Sequence, residues 1–354
     1  MIFNVLKLNN SSKNKWDSIT EKFCCSDIYF KSSYLFLCSL HGKGEPMLFY
    51  SEEKQSKICL VALKNDISDS IKFKNLIKKN EFYDLSTPYG YGGFLVENEE
   101  KNHKFLDDFF AKFNEYCQNN NIVSLFLRFH PLLENHKKIK NFCNIFKIKQ
   151  TIYISTENQE EIVENMSSKC RNTVRKAQKL GVVVDIDDKK NKDELIKIYL
   201  DTMKRNNASK YYYFNKKYFN YLAEDMKNNA VFFCAKHKEK LIAFSIILYD
   251  NNTSHYHLSG TKEGYKNFAA NDLILFQAAV WSCERGIKKF HLGGGLRAND
   301  NLFAFKKKFN KQGALDFYVG KIIFDEKKFC RLVKLRSINN ENFNPNDMII
   351  TYRG

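Results

Sequence analysis

The sequence predicts an α/β protein built as two mixed sheets, each with its own helices. Two observations carry this. Strand-like and helical runs alternate twice, before and after roughly residue 150. The length of 354 residues suits two domains, and it can bury a core without disulfides or a structural metal. The expected units are 1–150 and 151–354, related by internal duplication. The chain has only four prolines and no Ser/Gly-rich linker, so the units are expected to be closely joined.

In the first half, 47–50 and 58–63 read as a hairpin around the polar stretch 51–57. Phe105, Phe109, Phe110 and Phe113 recur at helical spacing and predict a helix over 105–116. The run 122–129 is a strand ending at His130-Pro131, and 146–154 is another. In the second half, 157–180 reads as a polar helix, followed by helices over 193–204 and 218–226. Strands follow over 230–236, 241–249 and 253–259, with Asn251-Asn252 as the turn between the last two. A helix over 271–285, a strand over 288–292, a short helix over 301–309 and a strand over 317–324 complete the reading.

Composition excludes several classes. Apolar residues are 44% and charged residues 27%, so the chain is not disordered. No apolar run is long enough for a membrane span, and the first residues read as lacking a signal peptide. The net charge of +17 invites a nucleic-acid or phosphate partner. Of the 57 basic residues 48 are Lys and 9 are Arg, alongside much Asn, Ile and Phe, as AT-rich coding produces. The few Arg are therefore more informative than the many Lys, Arg being the better bidentate phosphate ligand. The ten cysteines show neither C-x-x-C pairs nor zinc spacing. Most sit in apolar runs and read as reduced core thiols, which implies the cytoplasm.

The block 230–292 carries the first functional signal. Three meandering strands lead through the loop 264–271 into a helix, then a further strand. The helix N-terminus offers backbone N–H groups to an anion, and the loop brings Gly and small residues where backbone must approach a ligand. This layout resembles that of an acyl-CoA N-acyltransferase core.

Three segments bring side chains that could carry chemistry. On a helix through 169–180, Cys170, Val174 and Ala177 share one face, while Arg171, Arg175 and Lys179 form a basic ridge on another. The ridge is either a solvated face or a diphosphate site. Two of the nine Arg within five positions favour the second. In Phe305-Lys306-Lys307-Lys308-Phe309 the two Phe pack inward and orient the lysines, so Lys306 is a candidate cation for the oxyanion of an acyl transfer. The segment from Asp84 to Phe94 holds three glycines, a proline and the tyrosines Tyr89 and Tyr91. It reads as a shaped loop, with Arg128 of the Arg128–Pro131 segment able to reach the same cleft. Asp84 is a candidate proton acceptor by its position there. Gly293-Gly294-Gly295 reads as a tight strand exit, without phosphate-loop spacing. His255 and His257 read as hydrogen-bonded histidines, and no metal site is expected. No nucleophile elbow, HExxH or Ser/His/Asp signature occurs.

These residues resemble the Fem-type, peptidoglycan bridge-forming and FemAB-like proteins of the GNAT superfamily, which carry a BioF2-like acetyltransferase domain. The segments 171–182, 256–261 with Ala270-Asn271, 286–294 and 305–309 carry the likeness. The segments 84–93 and 128–131 are similar to a subgroup associated with surface polysaccharide. The resemblance implies a tandem GNAT-like acyl-CoA N-acyltransferase fold of two subdomains, with an acyl or aminoacyl group passed to an amine of a cell-envelope precursor or nucleotide-linked sugar. It implies that Lys306 stabilises the transition state, that Arg171 or Arg175 contacts the phosphates of a small-molecule acceptor, and that Tyr256 and Asn271 lie at the substrate. No bound cofactor is implied. The donor is a co-substrate, either acyl-CoA or, for a peptidoglycan bridge aminoacyltransferase, aminoacyl-tRNA. Contact with a lipid-linked precursor would be peripheral. A non-catalytic binder of nucleotide-sugars or nucleic acid is the alternative outside enzymes.

Overall fold

The structure is a computed structural model, and it describes residues 1–42, 44–99, 104–186, 191–339, 343–344 and 349–353. In chain order these hold β1 (Ile2–Lys7), α1 (Lys13–Thr20), α2 (Ser32–Ser39), β2 (Glu45–Glu53), β3 (Ser56–Asp66), β4 (Tyr83–Ser86), β5 (Phe94–Glu97) and α3 (Phe105–Asn119). Next come β6 (Ile122–Arg128), β7 (Asn144–Ser155), α4 (Gln159–Asn165), α5 (Ser168–Lys179), β8 (Val182–Ile186), α6 (Lys192–Arg205) and α7 (Lys216–Glu224). The remainder are β9 (Ala230–His237), β10 (Lys240–Tyr249), β11 (Thr253–Thr261), α8 (Ala270–Glu284), β12 (Lys289–Gly294), α9 (Asn301–Lys307), β13 (Ala314–Ile323) and α10 (Glu326–Ile338).

Two compact units emerge, Met1–Ile148 with Phe317–Gly354, and Lys149–Asp316. The division differs from the expected 1–150 and 151–354. The last residues fold with the first unit because β13 pairs antiparallel with β6, from Val319 opposite Arg128 to Ile323 opposite Ser124.

Each unit is a mixed sheet with one parallel pair. The first runs β1-β2-β3-β4-β6-β13, with β5 set against β3. Its parallel pair is β4–β6, and α3 lies in the crossover between those strands. The second runs β8-β9-β10-β11-β12-β7, with β11–β12 parallel and α8 in the crossover. Strand order, strand sense and the helical crossover repeat, as internal duplication predicts. Phe105, Phe109 and Phe113 bury one face of α3, whereas α8 buries Leu273, Ile274, Leu275 and Ala278 on more than one side, because α5 packs on it as well as the sheet.

The predicted helix over 157–180 is two helices. The chain leaves helical geometry at Met166, and Ser167 caps α5 by accepting from the Cys170 N–H at 3.1 Å. Gly181, at φ +75°, ends α5 in the left-handed region that glycine tolerates. The strands β1, β4, β5 and β8 and the helices α1, α2 and α10 have no counterpart in the sequence reading. No described helix is long and apolar enough to cross a membrane.

Candidate active site

The site of the second unit begins where two strands separate. β11 and β12 pair only from Thr253–His255 against Lys289–His291. Beyond that β11 stays on β10 while β12 continues on β7 to Gly294. The separation leaves an opening at the C-terminal ends of a parallel pair, the usual place for a ligand in such sheets. On the β10 side, Ile246 opposes Leu258 and Ile247 opposes Tyr256, so His257 is the extra residue of a bulge. The His257 Nε2 lies 2.8 Å from the Tyr218 hydroxyl oxygen. The alternation of His255 and His257 gave no sign of this bulge.

Lys306 reaches both strands. Its Nζ donates to the Gly294 carbonyl oxygen at 2.7 Å and lies 5.6 Å from the centroid of the Tyr256 ring. Phe303 and Phe309 are buried on either side of it in sequence, and this draws Lys306 inward to 7% exposure. Burial, with the Lys149 ammonium adding to it, pushes the Lys306 ammonium down to about 7, while the Asp300 carboxylate opposes. Tyr256 donates to the Ser259 hydroxyl at 2.6 Å. The approach to Lys306 is shaped by Asp300, which caps α9 by accepting from the Phe303 N–H at 2.8 Å and also accepts from Leu296 N–H and Arg297 N–H. A Cβ at Gly295 would meet the Asp300 carboxylate at 2.0 Å, so glycine there is a packing requirement. Gly293-Gly294-Gly295 is thus a strand exit whose backbone also holds the lysine.

A pocket of about 280 Å³ opens at the N-terminus of α8, lined by Thr202, Arg205, Thr261, Lys266, Asn271 and Phe305 among others. Ala269 stands in the left-handed region at φ +55° and gives no side-chain cap, so the first N–H groups of α8 face an uncapped end. The Asn271 Oδ1 is buried without a partner among the described residues. Arg205 donates to the Thr261 carbonyl oxygen and, at 3.0 Å, to the Thr202 hydroxyl. Asp272, in the first turn of α8, pairs with Lys308. Burial raises the Asp272 carboxyl, and Lys308 opposes. Two cations, an asparagine and a helix N-terminus make the pocket receptive to an anion. The sequence reading named Asn271 but missed Arg205, Lys266 and the Asp272–Lys308 pair, which lie on separate elements.

The two arginines of α5 part company. Arg171 donates through Nη1 to the carbonyl oxygens of Met166 at 2.5 Å and Val163 at 3.3 Å, and through Nη2 to the Ser168 hydroxyl. It closes the C-terminal end of α4, which argues for a structural role. Arg175 is exposed.

In the first unit, Asp84 accepts from Arg353 Nε at 2.7 Å, from Arg353 Nη2, and from the Tyr352 hydroxyl at 3.1 Å. That geometry argues against a proton acceptor and for an anchor of the chain's last residues. Arg128 donates through Nε to the Gly90 carbonyl oxygen at 2.8 Å and lies over the Phe317 ring at 5.1 Å. Tyr91 is buried beside Tyr29, His130 and Phe317, whereas Tyr89 is half-buried and accepts at its carbonyl from the Tyr34 hydroxyl. The loop therefore does gather Tyr91 and Arg128, and Asp84 turns to other partners.

A split parallel pair, a crossover helix with an uncapped N-terminus and a buried lysine come together in the second unit. Residues 164–307 match the acetyltransferase (GNAT) domain family. The chain shares the fold of FemX, with 13% identity, a TM-score of 0.67, and coverage of 93% of this chain and 99% of that one. The C-terminal domain (DUF2156) of a putative lysylphosphatidylglycerol synthetase from Agrobacterium fabrum is similar, with 12% identity, a TM-score of 0.57, and coverage of 94% and 97%. L-PGS from Bacillus licheniformis has 14% identity, a TM-score of 0.57, and coverage of 92% and 97%. At these identities the likeness is one of fold. No curated protein matches the chain in sequence.

Proposed function

We propose that the protein passes an acyl or aminoacyl group to an amine of a cell-envelope precursor or nucleotide-linked sugar. The observation that carries this is the buried Lys306, tied to Gly294 and set over Tyr256 where β11 and β12 part. The donor's phosphates occupy the pocket at α8, against Arg205, Lys266 and the helix N-terminus. The acceptor amine attacks the donor carbonyl directly. A C–N bond forms, the C–S or C–O bond breaks, and the amine's proton leaves with the departing sulfur or oxygen. The Lys306 ammonium stabilises the oxyanion formed in between. Arg175, exposed on α5 of the same unit, binds the phosphates of the acceptor. The strand order shared by both units supports a tandem GNAT-like protein, and ten free thiols suit the cytoplasm.

The test is a donor screen on the purified chain: acyl-CoAs, acylated carrier protein and charged tRNAs, each with nucleotide-sugar and lipid-linked acceptors. Acceptor-dependent consumption of one donor supports the proposal and names the donor. A ligand-induced rise in melting temperature with every donor left intact would make the protein a binder instead.

A further inference from the structure

We propose that Cys24, Cys25 and Glu97 in the first unit form a binding site for a thiophilic divalent cation of the zinc class. The cysteines lie in the turn following α1, and Glu97 is the last residue of β5. Their two sulfurs and a carboxylate oxygen all lie within 4.8 Å of one another, close enough to converge on one ion with small side-chain adjustments. The turn is already fastened to the carboxylate, since the Cys24 N–H donates to Glu97 Oε1 at 2.6 Å. Glu97 is itself held, because Lys57 stands opposite it on β3 and pairs with Oε2 at 2.9 Å. Lys57 also donates to the Lys22 carbonyl oxygen at 2.7 Å, tying the same turn from its other side.

Charge accounting favours the site. Two thiolates, one carboxylate and a divalent cation sum to −1. The adjacent Lys57 ammonium returns the cluster to neutrality, so this lysine complements the loaded site. Sulfur ligands select zinc-class ions over magnesium or calcium, which need oxygen shells. Cys24 is exposed and Cys25 half-buried, so an ion can enter from solvent. Three protein ligands leave a fourth tetrahedral position for water. Binding displaces both thiol protons and clamps the turn after α1 to the end of β5. The spacing of the cysteines in sequence concealed this, because the third ligand comes from a strand over seventy residues later.

The experiment uses the full chain in a non-thiol reductant, titrated with Cd²⁺ and followed by its thiolate-to-metal charge-transfer absorbance. The expected result is a band saturating at one ion per chain, displaced by Zn²⁺. The double variant Cys24→Ser/Cys25→Ser loses the band, Glu97→Gln keeps it with weakened affinity because an anionic oxygen ligand is replaced by a neutral one, and Cys330→Ser is unchanged. A band that persists in the double variant, or no saturable band in the parent protein, overturns the proposal. A readout without variants guards against misfolding. In the parent protein Zn²⁺ should protect Cys24 and Cys25 from alkylation, mapped by mass spectrometry, and equal labelling with and without Zn²⁺ overturns the site.

Discussion

Lys306 Nζ donates to the Gly294 carbonyl oxygen at 2.7 Å, across the eleven residues that separate them in the chain. Of three consecutive lysines only Lys306 is buried. Lys307 is exposed, and Lys308 is held by Asp272. One run of identical side chains thus has three environments, and the variants should separate them.

Lys306→Ala should lower turnover by about 10²–10³, the cost of removing one oxyanion donor. Lys307→Ala should leave turnover within about twofold of the parent, in keeping with the small effect of a surface change. Lys308→Ala should fall between them, because it leaves Asp272 unpaired at the mouth of the pocket. Steady-state rates for the three decide the matter. Equal, modest losses would reduce Lys306 to a share of patch charge.

The pH profile follows from the state of Lys306. Burial brings its ammonium down to about 7, so the charged form is present below that pH and is lost above it. The rate limb assigned to Lys306 should therefore fall as pH rises through about 7. In Lys306→Arg the guanidinium stays charged, and the limb should vanish from the neutral range even if the rate is lower. A falling limb that survives in the arginine variant would assign it to another group.

Arg171 and Arg175 should behave oppositely. Arg171→Ala strips the donor from the end of α4 and should lower the melting temperature by several degrees, on the order of 1 kcal/mol. Arg175→Ala should keep the melting temperature and weaken acceptor binding. Thermal melts and acceptor titration on both variants check this, and normal acceptor affinity in Arg175→Ala would remove it from the site.

Asp84→Ala tests the anchor. It leaves the Arg353 guanidinium and the Tyr352 hydroxyl without their shared acceptor, a class of change that costs about 3 kcal/mol when the pair is buried. With the Arg353 side chain still 31% exposed, the loss should be smaller, about 1–2 kcal/mol. Urea unfolding reads it directly. Full stability with turnover abolished would return Asp84 to the chemistry.

His257 should make the second unit acid-sensitive. Burial, with His255 adding to it, depresses its pKa from 6.5 to about 3. The unfolded chain therefore binds a proton between those values that the folded chain refuses. Stability is complete above about 6.5 and declines toward 3, by up to about 1.4 kcal/mol per pH unit. His257→Gln retains a partner for Tyr218 and should flatten the decline. An unchanged slope in chemical denaturation between pH 6 and pH 4 would show that other groups set it.

What the sequence determined by itself was periodic and local. The helical spacing of Phe105, Phe109 and Phe113 placed α3, and short strand-like runs separated by polar turns placed β9, β10 and β11. The buried face of α5 was also legible, with Cys170, Val174 and Ala177 inward and Arg175 outward. Such features depend on one element meeting one core, so chain spacing suffices. The expected inward pair at Lys306 was half right: Phe309 is buried, but Phe305 is half-buried at the pocket and Phe303 takes the inward place, one turn being too short to place both from spacing alone. Tertiary structure decided everything that needed a partner from a distant segment. The return of β13 to β6 moved the unit boundary, because a strand's membership is set by the edge it pairs with and its own pattern does not name that edge. Arg353 gives Asp84 an anchoring partner, and the carbonyls at the end of α4 give Arg171 one, neither of which its own stretch of sequence names. The pocket at α8 draws Arg205, Lys266, Asn271 and Phe305 from separate stretches of chain. A charged side chain carries the same letter whether solvated or paired, and only the fold supplies the partner that fixes its role.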